Sequence, residues 1–180
     1  MVVYPPIRRW NIAEAALRAT LTGVRPAGLL GRESGAFWLG DRAAEAHVTF
    51  VVLPSGQGVV ESRGCWRVSA EVFGSVTRWA VPRRLSLLGM AHTHMPGVPV
   101  LLSQTDRNHG VHVPGLLEVV IGNAGADTNH REWGWYVREG EDYHQLLEPE
   151  LSVRIRLQFD TPIEVWRADA RGVYQVGANE

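Results

Sequence analysis

Apolar positions along the chain follow two rhythms, one near 3.6 residues and one of 2, and these divide it into elements. Asn11 followed by Glu14 three residues on reads as a helix N-cap with its acidic partner, and the alanine-rich stretch to Leu21 as the helix. Gly23 and Pro26 are expected to stop it. Residues 36–39 and 47–53 form two short β-type runs across a polar turn, with Pro54, Ser55 and Gly56 ending the second. Residues 59–66 read as a short strand or an irregular loop. From Ser69, a helical pattern places Val72, Phe73, Val76, Trp79 and Ala80 on one face until Pro82. Residues 85–94 are an apolar run that reads as a buried strand, and Pro96, Gly97 and Pro99 make a stiff loop after it. Ser103 begins a short helix reaching His109, and residues 116–121 and 133–137 give two more strands.

Near the C-terminus, Leu151, Val153, Ile155, Leu157 and Phe159 alternate with Ser152, Arg154, Arg156 and Gln158. That alternation predicts a strand with one buried and one wet face. Residues 163–166 and 173–176, joined across Asp169 and Gly172, predict a terminal hairpin. Helix, strands, helix and more strands add up to an α+β sandwich in a single domain over residues 1–180.

Composition narrows the function classes. The chain of 180 residues is 45% hydrophobic and 21% charged with a net charge of −1, so nothing favours nucleic acid or an anionic membrane as partner. The single Cys65 makes no internal disulfide and has no accompanying nucleophile pattern. With no apolar run near the ~20 residues that span a bilayer and no signal-like N-terminus, a cytoplasmic location is expected. All 18 basic residues are Arg, a bias most simply owed to codon usage. Of Trp133 and Trp135, only one is expected to point inward, leaving the other to line a substrate groove.

The chemistry concentrates in His92-Thr93-His94 and Ser103-Gln104-Thr105-Asp106. Residues two apart on a strand project from one face, so both imidazoles can address one point. The loop and the first helical turn can return Asp106 to that point. Two imidazoles and a carboxylate form a zinc tripod with a fourth position left for water, which zinc makes a nucleophile near neutral pH. A general base is then needed. Glu33, at the mouth of the strand run 36–39, is preferred over Glu45, Glu61 and Glu71. Ser103 and Asp106 equally suit a helix cap and a first-turn charge. His109 and His112 read as surface residues or as partners of the ligands.

This pattern resembles the signature of the JAMM (MPN-plus) zinc metalloproteases: His, Ser or Thr, His, a spacer, Ser, two residues, Asp, with a Glu upstream. The resemblance covers residues 12–137 and leaves 151–176 as a C-terminal strand and hairpin extension. Two departures stand out: eight residues separate His94 from Ser103 where seven are usual, and Met95 displaces the usual proline to Pro96. The resemblance implies a mixed β-sheet sandwiched by helices with a cytidine-deaminase-like core. It also implies one catalytic zinc on His92, His94 and Asp106, with Glu33 as general acid/base and Ser103 as oxyanion donor.

By the same resemblance the substrate is a ubiquitin-like protein with a Gly-Gly-type C-terminus, cut after its last glycine in deconjugation or precursor processing. The setting implied is a bacterial conjugation pathway, of a kind that includes antiviral examples, with its own activating and conjugating enzymes as further partners. The alternatives are hydrolysis of small conjugates on a sulfur-carrier protein and a non-catalytic scaffold of the same fold.

Overall fold

The computed structural model describes residues 6–175. Its centre is one twisted mixed sheet with helices on both faces. In chain order the elements are β1 (Arg9–Ala13), α1 (Glu14–Leu29), β2 (Gly35–Asp41), β3 (Glu45–Pro54), β4 (Val59–Ser62), β5 (Cys65–Val68), α2 (Ala70–Ala80) and β6 (Ser86–Thr93). There follow α3 (Gln104–His109), β7 (Leu117–Ile121), β8 (Gly134–Glu139), β9 (Asp142–Gln145), α4 (Glu150–Arg154), β10 (Ile155–Gln158), β11 (Glu164–Ala168) and β12 (Val173–Gln175).

The main sheet runs β10-β1-β3-β2-β6-β7-β8-β9. The strand β2 is antiparallel to both β3 and β6, whereas β7 lies parallel to β6. One edge of β3 is shared: β1 covers its first half and β11 its second, both parallel. The C-terminal segment is therefore woven into the sheet rather than appended to it.

Burial explains the layering. Trp10, Trp38, Leu88, Val119 and Trp135 meet α1 on one face of the sheet. Phe37, Leu39, Met90 and Leu116 meet α2 and the β4–β5 hairpin on the other. Trp38 shows how completely the first face is closed: its indole N–H donates to Thr20 Oγ1 at 2.9 Å, and that hydroxyl donates to Ala16 O.

Several expectations are corrected. Asn11 does not cap a helix; it lies in β1, 2% exposed, with its side-chain amide 3.4 Å from Ala46 O. The helix α1 starts later and runs through Gly23 and Pro26 to Leu29. Its buried residues Ala16, Leu17, Thr20, Val24 and Ala27 keep a helical spacing across both breakers, so packing outweighs local propensity. Gly23 is the position where the helix backbone comes hard against Leu53.

The expected strand over 151–159 is half helix. Leu151 is buried inside α4, Glu150 pairs with Arg154 at 3.1 Å, and only Ile155–Gln158 extend. Val153 and Phe159, expected to point inward, are exposed. The terminal hairpin forms as β11 and β12; the expected final residue Val176 lies outside the described residues.

Trp133 and Trp135 are both buried, stacked at 6.0 Å, with their N–H groups on Asp127 O and His130 O. Residues two apart share a face, so both point inward, and Trp135 also borders a cavity with His130, Leu151 and Ile155, apart from the histidine pair. Among the described residues, no helix is long and apolar enough to cross a membrane.

Candidate metal centre

The strand β6 lies in the middle of the sheet, bonded to β2 on one side and β7 on the other, so its backbone is fixed from both sides. His92 and the adjoining His94 project from its end toward the same point. Their Nε2 atoms lie 3.3 Å apart, and both rings are about 95% buried.

Asp106 arrives from α3. Its carboxylate oxygens lie 3.6 Å from His92 Nε2 and 3.4 Å from His94 Nε2. One ligand atom from each of His92, His94 and Asp106 falls within 4.8 Å of the others. The expected tripod residues are thus brought together.

What holds each member in place follows from local chemistry. A reciprocal capping box orients Asp106: its Oδ2 accepts the Ser103 N–H at 2.7 Å, and Ser103 Oγ accepts the Asp106 N–H at 3.1 Å. Ser103 therefore sits exposed at the N-cap, with its side chain also hydrogen-bonded to the Asp106 carboxyl. His94 Nδ1 is 2.8 Å from Pro99 O, a carbonyl that can only accept, so His94 carries its proton there and turns the Nε2 lone pair to the cluster.

Thr93, between the two histidines, ties the neighbouring strand mouth. The Ser34 N–H donates to Thr93 Oγ1 at 3.0 Å, and the Thr93 N–H donates to Ser34 O at 2.9 Å. These bonds bring Glu33 alongside. Gly35 pairs with His92 in the β2–β6 register, and Glu33 is 6% exposed with its own N–H on Ser62 O of the hairpin.

Burial raises the Glu33 pKa above the ordinary value, more than the neighbouring His94 and His92 lower it. That is the direction a proton acceptor near neutral pH requires. The other upstream glutamates are engaged elsewhere: Glu45 with Arg9, Glu61 with Ser34 Oγ, and Glu71 at the exposed start of α2.

The electrostatics of the cluster are strongly coupled. Burial pulls His92 down, but hydrogen bonds to Asp106 and Glu118, with the charges of both, push it up to about 10. For Asp106, burial pushes upward, and hydrogen bonds from His92, His94 and Ser103 more than offset it, holding the carboxyl well below the usual range.

Glu118 went unnoticed at the level of sequence. It is the one charged residue in the otherwise apolar run 116–121, and that isolation was the available signal. On β7 it is 3% exposed, with Oε1 2.9 Å from His92 Nδ1. Beside it opens a cavity of about 130 Å³, walled by Trp66, Phe73 and Met90 and reaching His92 and Asp106. The Trp66 ring stacks on His92 at 6.5 Å, and Cys65 lines the same cavity. His112 is exposed and bonds Arg107 O rather than a ligand; the His109 side chain lies outside the described residues.

The donor set fits a divalent ion of the zinc type. Two imidazoles and one carboxylate are the ligand chemistry of catalytic zinc, and each imidazole has its far nitrogen occupied by an acceptor.

No protein-family model matches the chain, and no curated protein does. Among solved structures it is similar to protein DSY2949 from Desulfitobacterium hafniense, with 16% identity, a TM-score of 0.59, and coverage of 84% of this chain and 94% of that one. It also matches AF2198, a JAB1/MPN domain protein from Archaeoglobus fulgidus, at 13% identity and a TM-score of 0.46 over 83% of this chain and 98% of that one. The first likeness shows a shared fold. What the site does is argued from its own geometry.

Proposed function

We propose that the protein is a JAMM-like, zinc-dependent peptidase that cuts after the C-terminal glycine of a ubiquitin-like modifier. One observation carries the metallohydrolase reading: the convergence of His92, His94 and Asp106 on one point, with Glu33 buried at its side. The substrate rests on the resemblance of His92, His94, Ser103, Asp106 and Glu33 to the JAMM signature.

A zinc ion on the tripod would supply the Lewis acidity that makes water nucleophilic near neutral pH. The chain's own groups do the rest. Glu33 takes a proton from the attacking water and passes it to the leaving amine, a task suited to its raised pKa. Ser103 donates its hydroxyl hydrogen to the oxyanion that develops on the scissile carbonyl; one such donor is worth about 3 to 4 kcal/mol. In the resting site the Ser103 side chain is hydrogen-bonded to the Asp106 carboxyl, so its hydroxyl turns from that carboxylate to the oxyanion as charge develops.

The test pairs two substrates and two proteins. A Gly-Gly-ended modifier fused to a reporter and a small conjugate on a sulfur-carrier protein are each incubated with zinc-loaded protein and with Glu33→Gln. Cleavage of the fusion by the parent, with zinc retained and cleavage lost in Glu33→Gln, is the expected result. Turnover of the small conjugate alone moves the substrate assignment to that class. Unchanged turnover by Glu33→Gln removes Glu33 as the base.

A further inference from the structure

The two histidines of the tripod are anchored differently. His94 leans on a backbone carbonyl, Pro99 O. His92 leans on a buried carboxylate, Glu118, which belongs to a different strand and lies 26 positions further along the chain. We infer that Glu118 is a positioning residue for the metal site, fixing the His92 ring and making it a stronger ligand. This inference rests on the zinc reading above.

Three observations converge on it. First, the parallel β6–β7 register pairs Met90 with Glu118, which puts the carboxylate diagonally beside His92 on the same face of the sheet. Its Oε1 stands 2.9 Å from Nδ1, the nitrogen that points away from Asp106. A carboxylate there requires Nδ1 to carry the hydrogen, which leaves Nε2 as the lone-pair donor to the ion.

Second, the position is expensive. Glu118 lies between Leu117 and Val119, buried, and its second oxygen Oε2 has no hydrogen-bond partner among the described residues. A leucine would fill the same strand position without burying that oxygen but would leave His92 Nδ1 without its acceptor, so the acid is tied to the imidazole and not to filling space. Third, charge favours it. A divalent ion on two neutral imidazoles and Asp106 meets only one ligand charge, and Glu118 supplies a second at the far side of a ligating ring. A carboxylate behind a metal-bound imidazole increases its basicity and fixes its orientation, typically worth 10- to 100-fold in metal affinity.

Zinc affinity of the full chain, measured by competition with a chromogenic chelator, gives the decisive readout, alongside the melting temperature of zinc-free protein. Glu118→Ala is expected to loosen zinc about 10- to 100-fold. Glu118→Gln, whose amide oxygen still accepts from Nδ1, should recover most of that loss. Glu118→Leu should melt above the alanine variant when zinc-free, because it refills the space, yet bind zinc as weakly as the alanine variant. That split separates positioning from a merely structural role.

Zinc affinity within about threefold of the parent in both Glu118→Ala and Glu118→Leu would overturn the inference while leaving the zinc reading intact. A parent protein that binds no zinc, or binds it equally well as His92→Ala, would overturn both. Should Glu118→Ala fail to fold, the Gln and Leu variants decide alone.

Discussion

Asp106 serves two structures at once, and a single substitution separates them. Its carboxylate caps α3 through the Ser103 N–H and also completes the tripod with His92 and His94. In Asp106→Asn, the amide oxygen can still accept from Ser103, so the helix start survives. The negative charge and a good metal-ligand oxygen are lost. For the parent protein, zinc at about 100 times its Kd should stabilise the fold by about 2.7 kcal/mol. In a chain of this size each kcal/mol moves the melting temperature by about 2 to 4 °C, so the expected rise is roughly 5 to 11 °C. The assay is differential scanning fluorimetry in chelator-treated buffer with and without zinc. Asp106→Asn should melt below the zinc-free parent, because the ion pair with His92 is lost, and rise by less than about 2 °C under the same zinc. Asp106→Ala should show the same loss of response and in addition a lower zinc-free melting temperature, because the capping box goes too; a lost cap costs about 0.5 to 2 kcal/mol. An equal zinc-induced rise in Asp106→Asn would refute the placement of Asp106 in a metal site.

Two further outcomes follow from the same geometry. A Cβ added at Gly35 would lie 2.5 Å from Ala91 O, a backbone atom that cannot yield, and 2.8 Å from the Trp66 ring. Gly35→Ala should therefore cost about 1 to 3 kcal/mol and move Glu33 relative to His92, lowering turnover more than zinc content; unaltered kinetics would count against the register argument. The pH dependence has a definite sign. His92 in the zinc-free fold is pushed up to about 10 from 6.5, so its pairing stabilises that fold fully below pH 6.5 and the contribution is lost as pH rises through about 10. Zinc must displace that proton, so zinc affinity should climb about tenfold per pH unit between pH 7 and 9. A flat affinity profile would mean His92 is not a ligand.

Legibility in the sequence tracked how local each determinant is. The strands β2, β3, β6, β7 and β8 and the helix α2 announce themselves through their own spacing and punctuation. His92, His94, Ser103 and Asp106 were readable as a group because one strand, one loop and one helical turn bring them together. Glu33 needed the strand mouth at Gly35 as context. The first strand was hidden: five residues with Asn11 at their centre resemble a cap until β3 and β10 are seen on either side.

Gly23 and Pro26 read as stops because propensity is a local property, whereas the packing of α1 against the sheet is not. Residues 151–154 alternate as a strand would, but the ion pair of Glu150 with Arg154 and the burial of Leu151 favour a turn of helix. Glu118 was visible as a lone acid, but its role was illegible for a topological reason. A lone acid in a hydrophobic strand gains meaning only when a parallel neighbour places a histidine beside it, and pairing across 26 residues leaves no short-range trace.

The ligands come from parts of the fold that differ in how they are held. His92 and His94 stand at the end of an inner strand, while Asp106 rides on a six-residue helix attached through an exposed, proline-rich stretch. An ion gripping both would close a ring of backbone from His94 round to Asp106 and act as a clasp on the rim of the candidate site. Chelation would then loosen the rim first and leave the hydrophobic interior standing, so that the firmness of this one wall depends on the ion it holds.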